Sequence, residues 1–222
     1  MKHRVVMLGA SGAVGQQVVA ALGRTDAVET LTLLNRRALP DVTASRIVQH
    51  VVGVLDATSY AHLLAAHDAA ICTFGVGEPS AMSREEFVRI DKTAVLDFAT
   101  ACKAAGVRHF QLLGSVGSSS TSRAFYLRVK GELCDALQVL QFDRLSIFQP
   151  SMILTPTNRY GFTSAVTLAV WPKLNPLLAG PLRQFRGIRV DVLGSAIAAN
   201  VFTTGSGVER LHWPDFTRLA AR

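Results

Sequence analysis

An α/β, doubly wound sheet is predicted by three features of the sequence. Four apolar residues, Val5-Val6-Met7-Leu8, run straight into a turn with three glycines; a second apolar strand, residues 30–34, follows one helix later; and apolar runs then alternate with helical stretches up to residue 148. Strands covered by helices on both faces read as unbroken apolar runs, as these do. The sheet expected is mostly parallel, of about six to seven strands, with a small C-terminal substrate lobe. At 222 residues, 49% hydrophobic and 18% charged, the chain has the length and composition of one core-forming unit. The organisation predicted is a single domain over residues 1–222, with 150–188 as a lid or substrate-side segment.

In Gly9-Ala10-Ser11-Gly12-Ala13-Val14-Gly15 the glycines stand at i, i+3 and i+6. The first permits a tight turn, the second lets backbone amides approach a pyrophosphate, and the third lets the next helix lie against the strand. That helix shows Val14, Val18, Ala21 and Leu22 on one face. A helix N-terminus carries roughly +0.5 charge and unpaired donors, so Gly9, Ser11, Gly12, Ala13, Val14 and Gly15 are the expected phosphate contacts. The pattern alone also suits an ordinary strand-to-helix turn. Its place between the first strand and a second makes it a nucleotide-binding βαβ unit, the start of a Rossmann fold.

The second strand ends at Asn35, and Arg36 and Arg37 follow. This strand end faces the adenosine ribose, where an acidic residue would accept from a 2′-OH and an arginine would pair with a 2′-phosphate. Asn35, Arg36 and Arg37 therefore point to NADP rather than NAD, the alternative being two solvent-facing arginines. Residues 47–55 read as the third strand, 60–66 as a short helix and 69–74 as the fourth strand. Gly75-Val76-Gly77 then mark a place where a cofactor's ribose and phosphates pass close over the backbone, or a plain loop.

Ser83-Arg84-Glu85-Glu86 is a capping box. It opens a helix with Phe87, Ile90, Ala94, Phe98, Ala101 and Cys102 at helical spacing, ended by Gly106, and no chemistry is expected of it. Residues 107–113 form the fifth strand, whose His109 is expected to pair or point outward. The small-residue loop Gly114-Ser115-Val116-Gly117-Ser118-Ser119-Ser120-Thr121-Ser122 follows at the carboxyl edge, where ligands of such sheets sit. Next comes a long helix in which Tyr126 and Lys130, four apart, project from one face. Residues 143–148 are the sixth strand, and Gln149-Pro150-Ser151 leaves the sheet beside the nicotinamide end, which puts Pro150 among the expected cofactor contacts. Residues 152–186 carry half of the prolines and read as a lid or an oligomer contact. Helices near Ser195 and from Trp213 close the chain as packing elements.

Basic residues number 23 against 16 acidic, a formal +7, but they are scattered and do not alternate with aromatics, so no nucleic-acid partner is expected. An anionic cofactor and substrate account for the surplus. Cys72, Cys102 and Cys134 have neither disulfide nor metal spacing, and the first strand starts without a signal peptide, which together predict a cytoplasmic protein without a metal. Residues 162–182 are apolar but interrupted by Pro172, Lys173, Pro176 and Pro181, which argues against a membrane span and leaves peripheral membrane contact open.

Gly9-x-x-Gly12-x-x-Gly15, the serine loop and Tyr126-x-x-x-Lys130 together resemble the short-chain dehydrogenase/reductase superfamily in its atypical or extended branch. Phe87-Val88-Arg89-Ile90-Asp91, the strand into Ser115, Tyr126-Leu127-Arg128-Val129-Lys130-Gly131-Glu132 and Phe142-Asp143-Arg144 are similar to its Tat-interacting-protein-like NADP-binding group. The similarity covers most of residues 3–155. It implies that Tyr126 is the acid/base at the substrate oxygen, that Lys130 holds the nicotinamide ribose and lowers the tyrosine pKa, and that Ser115 hydrogen-bonds the carbonyl or alcohol, with Ser118 as the fallback. Three departures stand out. The superfamily's helical asparagine is not evident, Asp91 lying in that region. The third strand has no clear acid for the adenine amine, with Gly53 near its place and Asp56 slightly later. After the sixth strand Gln149-Pro150-Ser151 stands where Arg-Pro-Gly is usual.

Two functions follow as expectations: an NADP-dependent reductase or dehydrogenase acting on a small carbonyl or alcohol, and a non-catalytic NADP(H)-binding regulator. A sugar-nucleotide epimerase fits less well, because the lobe after Phe148 is short. A homodimer is one assembly the sequence leaves open.

Overall fold

The first strand, β1 (His3–Leu8), divides the core in two. Val5 and Met7 point to one side of the sheet and Val6 and Leu8 to the other, all fully buried. The computed structural model describes residues 2–40, 42–76, 82–155 and 178–222. After β1 the chain runs α1 (Ala13–Gly23), β2 (Val28–Asn35), β3 (Ile47–Val51), β4 (Ala69–Cys72), α2 (Arg84–Val88) and α3 (Ala94–Ala104). It continues through β5 (His109–Leu113), α4 (Phe125–Val139), β6 (Arg144–Phe148), β7 (Ile153–Leu154), β8 (Ile188–Arg189), α5 (Val190–Asn200), β9 (Gly207–Leu211) and α6 (Trp213–Ala220).

Seven strands pair in the order β3-β2-β1-β4-β5-β6-β9, every pair parallel, while β7 and β8 form a small parallel pair of their own. Residues of α1, α5 and α6 join the core on the Val5 side, and those of α3 and α4 join it on the Val6 side. This is the doubly wound Rossmann arrangement. The order reverses between β1 and β4, so the carboxyl ends of those strands border the crevice where such folds take ligands.

Several expected elements are shorter than predicted, each for a local reason. The third strand stops at Val51, because the Asp56 amide donates to Gly53 O at 2.7 Å and turns the chain. Asp56 itself accepts from the Thr58 amide at 3.0 Å, so its carboxylate caps a turn. In place of a helix over 60–66 there are two single 3₁₀ turns, Ala57–Ser59 and Ala61–Leu63, and Ala66 at φ 61 ends the segment. A helix this short recovers too few bonds to offset its nucleation. The seventh strand, β9, is hidden in the sequence by Glu209 and Arg210. Arg144 of β6 explains the acid: it lies buried, 2.6 Å from Glu209, and its guanidinium also donates to Asn200 O and Thr203 O. His109 pairs inward, with Ser146 at 2.8 Å.

The capping-box helix shows the largest departure. Ser83 caps it, accepting from the Glu86 amide at 3.1 Å, but the α-helical pattern breaks into one π turn over Arg89–Thr93 before α3 resumes. Such turns concentrate at functional sites. Among the described residues no helix is long and apolar enough to cross a membrane. The proposed lid falls largely on residues 156–177, which lie outside the described residues.

Candidate functional site

The glycine turn is built by close approach. Gly9 sits at φ +97, a backbone conformation that a side chain disfavours, and a Cβ there would lie 2.3 Å from the Phe74 amide nitrogen. Its carbonyl accepts from the Gly12 amide at 3.1 Å and from Thr73 Oγ1 at 3.0 Å, which ties the turn to the end of β4. A Cβ on Gly15 would stand 2.1 Å from that same carbonyl, so α1 can cross the turn only without one. Around Gly12 the nearest such contact is an ordinary 3.4 Å, leaving space above the helix end. Ser11 and Gly12 are exposed, no side chain caps α1 at Gly12, and no acid occupies its first turn. The amides of Ala13, Val14 and Gly15 are thus left for a ligand, and an anionic pyrophosphate fits them. Gly15→Ala is expected to abolish saturable NADPH binding, read by quenching of protein fluorescence; an unchanged dissociation constant would mean that the pyrophosphate does not sit on this turn.

At the end of β2, Arg36 and Arg37 are exposed and, among the described residues, take part in no ion pair. Asn35, expected to touch the cofactor, is 4% exposed, and its amide is turned to Gln49 Oε1 at 3.3 Å. Gly75 and Val76 do come to the β4 end beside the glycine turn, whereas Gly77 lies outside the described residues.

The serine loop is drawn against α4 from two directions. The Gly114 amide donates to Phe148 O at 2.7 Å and the Val116 amide to Pro150 O at 2.9 Å, which places Ser115 beside the Pro150 segment. The Ser119 amide donates to Leu127 O at 3.1 Å, and the lack of a Cβ on Gly131 lets the Ser119–Ser120 backbone lie on the helix. The Ser118 hydroxyl is engaged locally, donating to Ser115 O at 2.7 Å. On the first turn of α4, Tyr126 is half-buried with its ring 5.6 Å from that of Phe87. Among the described residues nothing hydrogen-bonds its phenol, and Ser115 does not reach it directly.

One turn on, Lys130 Nζ lies 2.5 Å from Asp91 Oδ1, with the two side chains 8% and 1% exposed. The other carboxylate oxygen accepts from the Val76 amide at 2.8 Å, and Gly75 passes so close that a Cβ would meet Oδ1 at 2.9 Å. A second pair, Lys92–Glu132 at 2.6 Å, fastens the π turn to α4. Burial works against the Lys130 ammonium, but Asp91 and Tyr126 outweigh it and the pKa rises above the ordinary lysine value. Asp91 is the residue that sequence reasoning left without a role. It stands four before Val95 and four after Phe87, on the buried face of its helix, where a charge demands a partner.

Known proteins resemble the chain in sequence and in fold. A family model described as NAD(P)H-binding matches residues 9–139. "Protein HTATIP2" of Rattus norvegicus is 36% identical over 152 residues, 68% of this chain and 62% of that protein, so the chain spans less than two thirds of that relative. "Protein FMP52, mitochondrial" of Meyerozyma guilliermondii is 32% identical over 185 residues, 81% of this chain and 78% of that protein. Among solved structures, the oxidoreductase ylbE from Lactococcus lactis superposes with TM-score 0.70 at 17% identity, covering 97% of this chain and 95% of that one. MoeE5 in complex with UDP-glucose and NAD gives TM-score 0.68 at 16% identity, covering 94% and 76%. At such identities the structures speak for the fold alone.

The expected cytoplasmic location does not stand. Several fungal relatives are named as mitochondrial, including one from Debaryomyces hansenii that is 30% identical over 90% of this chain. The inference from the cysteines failed for a physical reason. All three are buried, and burial pushes the Cys72 thiol up to about 12 and raises Cys102 and Cys134 as well, so their lack of pairing reflects their place in the core and carries no information about the compartment. With its glycine turn, its parallel sheet and a family match over more than half of its length, the chain belongs to the NAD(P)H-binding family.

Proposed function

We propose that this protein is an NADP-dependent oxidoreductase of the short-chain dehydrogenase/reductase type, acting on a small carbonyl or alcohol. The observation that carries the reading is the half-buried Tyr126 phenol, without a protein partner among the described residues, one turn from the buried Lys130 ammonium. A phenol left free at a ligand crevice and backed by a cation is suited to exchange a proton with a substrate oxygen. The first-turn amides of α1 hold the pyrophosphate, Arg36 and Arg37 meet the 2′-phosphate, and Lys130 holds the ribose. Ser115 is the donor to the substrate oxygen, favoured over Ser118 because the Ser118 hydroxyl is held by Ser115 O at 2.7 Å, whereas the Ser115 hydroxyl has only a long bond to Val116 O at 3.4 Å. Bound NADPH supplies the hydride.

The reading is tested by mixing the protein with NADPH and a panel of aldehydes, ketones and quinones and following loss of nicotinamide absorbance. Cofactor choice is tested separately. Replacing both Arg36 and Arg37 by Ala removes charge-assisted bonds to a 2′-phosphate, so NADPH binding is expected to weaken roughly tenfold or more while NADH binding is unchanged. Calorimetric titration with both cofactors reads this. Equal losses for the two would remove the basis for NADP.

A further inference from the structure

Reading a 2′-phosphate requires Arg36 and Arg37 to be held in one place, yet they begin a connector, residues 36–46, that has neither helix nor strand among its described residues. One side chain from β3 organises it. Gln49 Oε1 accepts from Asn35 Nδ2 at 3.3 Å and from the Leu39 amide at 2.9 Å. Gln49 Nε2 donates to Leu39 O at 3.0 Å and to Val42 O at 3.3 Å. Both hydrogens and both lone pairs of the amide are used, and they grip the chain on either side of the arginines, at Asn35 of β2 and at Leu39 and Val42 of the connector. The far end is pinned independently, by Arg46 bonding Thr25 O and pairing with Asp26 at 2.8 Å.

The connector has somewhere else to go. Between it and α1 lies a groove of about 560 Å³, lined in part by Ala10, Gln16, Val19, Leu39, Pro40 and Val42. Leu39 and Val42 are half-buried apolar side chains at its edge, and settling into the groove would take more of their surface from water. The three bonds from Gln49 to Leu39 and Val42 oppose that movement. They tie the Leu39 and Val42 backbone to β3.

We propose that Gln49 is a positioning residue for cofactor choice, clamping the connector so that Arg36 and Arg37 are already placed for the 2′-phosphate. The proposal rests on the NADP reading above. An arginine that must be ordered on binding costs affinity that a preorganised one keeps, and only the phosphorylated cofactor uses these arginines.

Gln49→Glu keeps the size and the acceptors but cannot donate to Leu39 O or Val42 O; Gln49→Leu removes all four bonds. Both variants, and the double Arg36→Ala, Arg37→Ala variant, are titrated with NADPH and with NADH after circular dichroism confirms that they are folded; the near-isosteric Glu variant serves if Leu unfolds. The expected result is NADPH binding weakened about fivefold with NADH within about twofold, so that the ratio of the two affinities falls. Equal weakening of both cofactors by the Gln49 variants, or no change in either, beside a collapsed ratio in the arginine variant, overturns the clamp alone. An unchanged ratio in the arginine variant overturns the NADP reading and the clamp with it.

Discussion

Tyr126→Phe is expected to lower NADPH-dependent carbonyl reduction by roughly 10²–10⁴-fold, the usual contribution of a positioned acid or base. The substitution removes one hydroxyl and little else. The ring keeps its place 5.6 Å from Phe87, and among the described residues the hydroxyl has no protein hydrogen bond to lose, so the fold should be indifferent. For the same reason the dissociation constant of NADPH should stay within about twofold. Single-turnover reduction and a parallel NADPH titration measure the two quantities. A Phe variant that turns over as fast as the parent would place the acid elsewhere. If the parent reduces nothing on the panel and still binds NADPH tightly, the pocket is a sensor, and the regulator becomes the better reading.

What could be read from the sequence was whatever allowed only one residue type. Gly9 and Gly15 are each within 2.3 Å of backbone where a Cβ would be, so the pattern had a steric cause, and the parallel sheet followed from runs too apolar to face water. Tyr126 and Lys130 were legible because four-residue spacing fixes a common helical face. Asp91 was not. The capping box and the apolar spacing from Phe87 described a continuous helix, and nothing in that pattern announces a π turn. A clue was present in both partners: Asp91 and Lys130 each occupy a buried-face position among apolar neighbours, and two lone opposite charges on two core faces are best satisfied by each other. Strand β9 was obscured because Leu211 is its one buried residue, and its half-buried Glu209 pairs with Arg144 of β6 instead of adding apolar surface. Gln49 carried no signal at all, since a glutamine in the middle of a short strand is ordinary until the chain that it grips is seen.

Lys130→Met should destabilise the protein by about 3–5 kcal/mol, because it strands the Asp91 carboxylate, 1% exposed, with the Val76 amide as its one remaining partner among the described residues. For a chain of this length that corresponds to a fall in melting temperature on the order of 10 °C. The cost is the unpaired charge, not the absence of a bond, so removing the second charge should restore most of it. The double variant Lys130→Met, Asp91→Leu is expected within about 1–2 kcal/mol of the parent, the remainder being the amide of Val76 left without its acceptor. Chemical denaturation of the parent, each single variant and the double variant gives the coupling directly. A Lys130→Met protein within about 1 kcal/mol of the parent would mean that the pair is not buried as described. The rescued double variant then separates two roles that Lys130 combines: folded but lacking the ammonium, it should bind NADPH more weakly than the parent if Lys130 holds the ribose, and equally well if the lysine serves only to neutralise Asp91 beneath the β4 edge.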